Sequence, residues 1–308
     1  MLEKKITFWV EEYLFRPNIF QKFISILLLP FSFLYCFIGK IRRYFYKKEN
    51  FGIPIISVGN LTIGGSGKTP FCITLSKELN RCAIILRGYK RESSGLVVVK
   101  DFNNLLCDVK TSGDEAMLYA TKTDAIVIVS EDRKLGIKKA KELKAEVILL
   151  DDGFGKTNID KFDILMSPNP KPANNFCIPS GAYRESVSNY KNANLVLEED
   201  RDFSRKSYIL NETNKMVLVT AISNPKRLDK YLPKNLIAKI YFNDHYSFKK
   251  DELLKIIEKT EATSILTTTK DAVKMKEFNL PLSILELELE ISPLVMKKIK
   301  NYISNYKI

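Results

Sequence analysis

The chain has little of what marks a disulfide-stapled, zinc-binding or nucleic-acid-binding protein. Its 308 residues include five cysteines (Cys36, Cys72, Cys82, Cys107 and Cys177), scattered, odd in number and without a C-x-x-C pair. That usage argues against a cysteine metal site and predicts reduced, partly buried thiols. No arginine-rich tail, zinc-finger, RNP or basic-zipper pattern occurs, so no nucleic-acid partner is expected. There is no internal repeat, no low-complexity tract and no small-residue cleavage site of a secretory leader. Acidic residues are in deficit: 49 Lys and Arg face 36 Asp and Glu, a net charge of +13. The excess is spread along the chain and suits an anionic partner, either a phosphorylated substrate or an anionic lipid surface. Solubility alone would also account for it.

Glycines are few, 13 in all, but several gather in Gly64-Gly65-Ser66-Gly67-Lys68-Thr69. An apolar run, Ile53 to Val58, precedes them, and a helix-like segment, Pro70 to Leu79, follows. Strand, glycine loop, Lys-Thr and helix make a nucleotide phosphate cradle, in which loop amides and a helix N-terminus converge on phosphate oxygens. Lys68 would reach the β/γ-phosphates and Thr69 a Mg²⁺ ion. The strict G-x-x-x-x-G-K-[ST] spacing is not met, because Thr62 stands at the first glycine position.

The N-terminus carries 17 residues without a charge, Phe23 to Gly39, bounded by Lys22 and Lys40 and interrupted by Pro30. A basic and aromatic stretch, Lys40 to Lys48, follows it. Three readings compete: an embedded monotopic anchor, a single spanning helix and a buried core helix. The length is at the short end for a span, and the flank suits a headgroup interface on the cytoplasmic side. The anchor is therefore expected, with Phe8 to Phe20 in the same interface.

Beyond residue 50, short apolar runs alternate with helix-like ones. Strands are expected at 53–58, 82–86, 97–99, 125–129, 147–150, 162–166 and 195–197, with helices at 70–79, 114–121 and 133–143. This pattern predicts a parallel sheet covered on both faces. A charged stretch from Glu198 reads as a hinge. A second alternation then runs from Met216 to a last helix at 293–306. The expected organisation is a membrane-anchoring segment (1–50), a P-loop kinase domain (51–198), a linker (199–214) and a smaller α/β domain (215–308). The fold class is α/β, with a doubly wound parallel sheet.

Leu149-Leu150-Asp151-Asp152-Gly153 ends a buried strand in two carboxylates. Ligands of open α/β sheets sit beyond the carboxyl ends of strands, so Asp151 and Asp152 are candidate Mg²⁺ holders. Asp114, in Ser112-Gly113-Asp114-Glu115, opens a helix; plain capping is its ordinary use. Arg184, in Ser180-Gly181-Ala182-Tyr183-Arg184-Glu185, has the chemistry to clamp a phosphoryl group, or to form a surface ion pair with Glu185. The only histidine, His245, adjoins Asp244 just past a strand of the second domain.

Together these stretches resemble the tetraacyldisaccharide 4'-kinases of lipid A biosynthesis. The resemblance rests on ISVGNLTIGGSGKTP (56–70), LRGYKRES (86–93), SGDEAMLYA (112–120), EDRKLG (131–136), ILLDDGF (148–154), IPSGAYRE (178–185), AISNPKRL (221–228), FNDHYSF (242–248) and TTTKDAVKMK (267–276), in family order. It implies ATP- and Mg²⁺-dependent transfer of a phosphoryl group to the 4'-hydroxyl of a lipid A disaccharide 1-phosphate. It also implies a monomer at the anionic cytoplasmic face of the inner membrane, peripheral or monotopic, with closure of the two domains over the site. By matching motif, it makes Asp114 the catalytic carboxylate with His245 as partner. Lys68 and Arg184 act on the phosphates, Gly64 to Thr69 form the nucleotide loop, and Thr69, Asp151, Asp152, Glu115 and Glu185 belong to the metal side. The chain departs from the family pattern at Gly155-Lys156 (usually Gln-His), Ser186 (usually Pro) and Tyr183 (usually Leu). The alternative from another class is a membrane-recruited P-loop ATPase switch without a sugar acceptor. A third, an inactive scaffold, sits poorly with the intact Lys68, Thr69, Asp114, Asp152 and His245.

Overall fold

The structure is a computed structural model and describes residues 2–63, 67–89, 91–222, 225–243 and 246–306. It divides into two compact units. The first holds Met1–Ser204 and Ile291–Ile308, the second Arg205–Glu290.

The first unit begins with helices α1 (Leu2–Phe15), α2 (Ile19–Leu27) and α3 (Leu29–Phe45). The expected single apolar segment is broken at Leu28, with a bend of 54° between α2 and α3. Pro30 lies in the first turn of α3, where its missing N–H costs nothing but where a through-running helix would lose a bond. Among the described residues no single helix is long and apolar enough to cross a membrane; α2 and α3 meet that measure only as a bent pair. Nor is this a core helix: Ile19, Phe20, Phe23, Leu27, Phe31, Phe33, Phe37 and Ile38 are all exposed.

Gln21, Ser25 and Ser32 of this bent pair are buried. Ser25 Oγ donates to Ser180 O at 2.6 Å. Ser32 Oγ donates to Cys177 O at 2.8 Å and accepts from Ser180 N at 2.9 Å. Tyr13 Oη donates to Pro179 O at 2.9 Å. The N-terminal helices are thus bonded to the 177–180 loop and belong to the first unit, not to a separate anchor. The same docking brings Cys36, one turn beyond Ser32, onto that loop, and Cys36 and Cys177 form a disulfide. Here the expectation of reduced thiols throughout is corrected; Cys72, Cys82 and Cys107 are free. Residues 141 apart in sequence gave no spacing from which to read the pair.

The remaining elements of this unit are β1 (Ile55–Gly59), α4 (Lys68–Lys77), β2 (Cys82–Leu86), β3 (Val97–Lys100), α5 (Val109–Ser112), α6 (Asp114–Lys122), β4 (Ile126–Val129), α7 (Arg133–Glu142), β5 (Val147–Asp151), β6 (Phe162–Met166) and β7 (Leu195–Leu197). The seven-stranded sheet runs β3-β4-β2-β5-β1-β6-β7. It is parallel except at its edge, where β3 pairs antiparallel with β4. Strands β1, β2, β4 and β5 are buried along their length, as expected of strands covered on both faces. The chain goes from β1 to β2 and β4, returns to β5, then crosses to β6 beyond β1. That reversal places a crevice at the carboxyl ends of β1 and β5.

The second unit adds β8 (Phe203–Leu210), β9 (Met216–Thr220), β10 (Leu236–Tyr241), α8 (Lys250–Thr260), β11 (Ser264–Thr268), α9 (Thr269–Met275) and β12 (Leu282–Ile291). Its five-stranded sheet has the order β10-β9-β11-β12-β8, with β10, β9, β11 and β12 mutually parallel. Residues 199–214, expected as a linker, contain all of β8. The last helix, α10 (Pro293–Ser304), falls in the first unit, not in the second domain as its sequence position implied. The cause is local: Tyr302 stacks on Phe162 with ring centroids 4.8 Å apart, and its Oη donates to Ile55 O at 3.2 Å and accepts from Ile55 N at 3.3 Å.

Candidate active site

The parallel register sets Val58 of β1 beside Asp151 of β5, so the loop after β1 and the carboxylates after β5 emerge side by side. Gly64, Gly65 and Ser66 lie outside the described residues. Gly67 caps α4 with φ of +78°, a left-handed conformation that glycine adopts without strain. Lys68 and Thr69 then form the first residues of α4, with Phe71, Cys72 and Leu75 buried beneath them.

Lys68 Nζ donates to Asn60 Oδ1 at 3.0 Å and lies 3.7 Å from Asp152 Oδ1. Arg184 forks onto both Asp152 oxygens, each at 3.0 Å, and also donates from Nη2 to Asn60 O at 3.2 Å. Asn60 Nδ2 in turn donates to Thr62 O at 3.0 Å. Asn60 is therefore the hub that orients both cations; the sequence reading passed over it as part of a loop. A buried Asn just past a phosphate-loop strand, near two candidate cations, was the available signal.

Asp152 takes φ of +52°. Asp tolerates this left-handed conformation better than most residues, and a bond from its N–H to Val58 O at 2.9 Å holds it. Burial pushes the Asp152 carboxyl up, but Arg184 and Lys68 outweigh it and hold it below the usual carboxylate range. Asp151 is different. It is buried, accepts from Tyr119 Oη at 2.8 Å through Oδ2, and its Oδ1 has no partner among the described residues. Burial and the nearby charge of Glu115 raise its pKa to about 6, against the opposing pull of Tyr119 and Lys68. Arg133, also buried, donates from Nη2 to Asp151 O at 3.2 Å; burial pushes its pKa down to about 10.

Asp114 and Glu115 occupy the first turn of α6 and are exposed. The cap before them is Gly113, whose φ of +83° strains any other residue and where a Cβ would sit a tight 3.1 Å from Tyr89 O. Asp114 is thus a first-turn residue rather than the cap. Glu185 points elsewhere than expected: it is paired with Arg43 of α3 and accepts from Asn189 Nδ2 at 2.9 Å. Arg184 thus meets Asp152 while Glu185 meets Arg43 of α3. His245 lies outside the described residues.

No group of three or more His, Cys, Asp or Glu among the described residues converges as a metal cage, so the five residues assigned to the metal do not assemble as one set. The smaller set still fits Mg²⁺. This ion is commonly held by one or two carboxylates together with substrate phosphates. Asp151 supplies an orphaned buried oxygen, and its repulsion with Glu115 is what a divalent cation would relieve.

A doubly wound sheet with a Lys-Thr helix start, a strand-end carboxylate pair and an arginine clamp defines a P-loop phosphoryl-transfer protein. The family model described as tetraacyldisaccharide-1-P 4'-kinase matches residues 24–213 and 202–304. The tetraacyldisaccharide 4'-kinase of Helicobacter pylori is 48% identical over 299 residues, covering 97% of this chain and 96% of that protein. The enzyme of Aliarcobacter butzleri is 49% identical over 315 residues, covering 99% of this chain and 100% of that protein. That of Campylobacter jejuni is 46% identical over 306 residues, covering 99% of each. A crystal structure of LpxK from Aquifex aeolicus in complex with ATP superposes with a TM-score of 0.71 at 27% identity, covering 91% of this chain and 99% of that chain. The chain belongs to the tetraacyldisaccharide-1-P 4'-kinase family and is a kinase.

Proposed function

We propose that the chain transfers the γ-phosphoryl group of ATP to the 4'-hydroxyl of a lipid A disaccharide 1-phosphate, acting as a monomer at the cytoplasmic face of the inner membrane. The observation that carries the reading is the gathering of Lys68 and Arg184 on Asn60, both paired with Asp152, at the carboxyl ends of β1 and β5. Two cations preset on one hub need little reorganisation when phosphate charge develops between them. The exposed apolar face of α2 and α3, with Lys40, Arg42, Lys47 and Lys48 beyond it, supports a lipid-borne acceptor at an anionic surface.

In the reaction, the acceptor oxygen bonds to the γ-phosphorus as the bond to the β–γ bridging oxygen breaks, and the hydroxyl proton leaves to a base. Lys68 and Arg184 stabilise charge on the transferring group. Asp114, exposed at the start of α6, orients the hydroxyl and takes its proton late, with His245 sharing it. Thr69, Asp151 and Glu115 would hold Mg²⁺, which when bound neutralises phosphate oxygens, while Asp152 holds Arg184. Glu185 is left to position Arg43.

The assignment of Asp114 is tested by Asp114→Ala and His245→Ala. Each should cut acceptor-dependent turnover strongly, with ATP binding retained, and the double variant should be little worse than the weaker single, as for groups acting as one unit. Multiplicative losses, or losses that track unfolding, would remove the pair from the mechanism.

A further inference from the structure

The second unit holds a buried carboxylate that the reaction above does not use. Asp271, in the first turn of α9, is 0% exposed. A charge that deep is costly unless its lone pairs are taken, and here they are. Its Oδ2 accepts from Thr220 Oγ1 at 2.7 Å, from Ala221 N at 2.9 Å and from Thr268 Oγ1 at 3.2 Å. Its Oδ1 accepts from Lys274 Nζ, one turn further along α9, at 3.2 Å. Burial pushes the carboxyl up, but the Ala221 N–H, the Thr220 hydroxyl and Lys274 outweigh it and hold it below the usual carboxylate range. Thr220 and Thr268 end the neighbouring parallel strands β9 and β11. Asp271 therefore ties α9 to the carboxyl ends of both, where the sites of parallel sheets form.

The network continues into the segment that carries His245. Thr220 O accepts from Phe242 N at 2.9 Å, and Asn243 O accepts from Tyr246 N at 3.0 Å, a bond that spans residues 244 and 245. Lys274 Nζ donates onward to Tyr246 O at 3.4 Å and lies 5.7 Å from the centre of the Phe248 ring. The rings of Phe242, Tyr246 and Phe248 pack on one another, with centroids 4.7, 5.4 and 5.6 Å apart. We propose that Asp271 and Lys274 are positioning residues for His245. Asp271 fixes the end of β9 and the Lys274 ammonium, and Lys274 fixes Tyr246 and Phe248, which follow the histidine in sequence. This rests on the proton-sharing role of His245 given above. Unpaired, an ammonium on a flexible four-carbon stem samples many rotamers; the buried carboxylate holds it in one. Phosphoryl transfer depends on positioning, and a misplacement of about 1 Å costs about 10²-fold in rate. The role accounts for a buried ion pair where apolar side chains would hold α9 to the sheet equally well.

The test uses the full-length protein, purified without a histidine tag, in phosphatidylglycerol nanodiscs. His245 is the only histidine in the chain, so labelling histidine with ¹³C at Cε1 gives one imidazole resonance. At about pH 8 an unperturbed imidazole is neutral, and the resonance then reports surroundings rather than titration. Lys274→Met keeps the stem and removes the charge. It should move the resonance toward the position of an unstructured peptide and lower kcat about tenfold or more, with the KM for ATP and acceptor and the unfolding midpoint unchanged. Lys274→Arg should keep most of both signals, and Lys259→Met, at the exposed end of α8, should change neither. Asp271→Asn should move the resonance as Lys274→Met does, with a lower midpoint as well. In a His245→Ala background, Lys274→Met should cost less than about twofold in turnover, as for groups acting as one unit. A resonance unmoved by Lys274→Met would overturn the proposal. So would a multiplicative loss in the His245→Ala background, which would mean that Lys274 acts elsewhere. Losses that track a lowered midpoint in both variants would overturn it too, leaving Asp271 and Lys274 as an ion pair of the fold. Failure of the histidine reading is separate: full turnover of His245→Ala, while Lys274→Met still moves the wild-type resonance, would remove His245 from the reaction and leave its positioning standing.

Discussion

Lys68 and Asp151 carry opposite electrostatic burdens, and each makes a distinct prediction. Lys68 is the cation nearest the helix start that meets phosphate. Lys68→Ala should lower turnover by about 10³-fold or more with the fold retained; near-normal activity in a folded variant would remove the phosphate-loop assignment. Asp151 is buried with one oxygen unpartnered, and its pKa is raised from 3.8 to about 6. The folded protein therefore holds a proton more tightly than the unfolded chain does. The associated stability is fully present below about pH 4 and is lost as pH rises through about 6. At pH 7, without divalent cations, the ionised carboxylate costs about 3 kcal/mol. Asp151→Asn should then be more stable than wild type by about 1–3 kcal/mol at pH 7, with the difference closing below about pH 4, while turnover falls. Urea unfolding across pH measures this; a variant less stable at pH 7 would show that the charge is already compensated. At this scale the sequence displayed the charged residues, because chemistry names them, but not their partners. Asn60 as hub and Arg43 as the mate of Glu185 depend on which loops are neighbours, and nothing local encodes that.

Among elements, the strands were the most legible part. β2, β6, β7 and β9 run as their apolar stretches dictate, since burial on both faces demands continuous hydrophobicity. β8 was hidden by its own position. It is an edge strand, and its Arg205, Lys206 and Tyr208 are the polar residues that keep an edge from pairing with other chains; in sequence they read as a linker. The N-terminal helices were visible as apolar but not as docked, because the docking uses single serines. Their outward face yields a prediction. Phe23→Glu with Phe33→Glu, at residues 64% and 67% exposed, should weaken vesicle binding about tenfold or more without lowering the unfolding midpoint. High salt should not release the wild type, because apolar contact is not screened. Quantitative release by salt would show that the face does not enter the lipid. Gly113 governs the start of α6. Gly113→Ala should cost about 1–3 kcal/mol, read by urea unfolding, because it combines a left-handed φ with a close carbonyl.

For the whole molecule, two α/β units and a bent helix pair with an exposed apolar face agree with the proposed enzyme, which takes one substrate from water and one from a membrane. The doubly wound sheet could be read from the alternation of elements, but the return of α10 to the first unit could not. Its Val295 and Ile299 are a buried stripe that would suit either sheet equally well. The most direct measurement is mass spectrometry of a lipid A disaccharide 1-phosphate incubated with purified protein, Mg²⁺ and ATP, alongside Lys68→Ala. The expected result is an acceptor heavier by one phosphoryl group, placed on the 4'-hydroxyl by fragmentation, formed by the wild type and not by the variant. An acceptor of unchanged mass, with ATP hydrolysed at the same rate whether or not it is present, would contradict the assignment and leave a nucleotide-driven switch in its place.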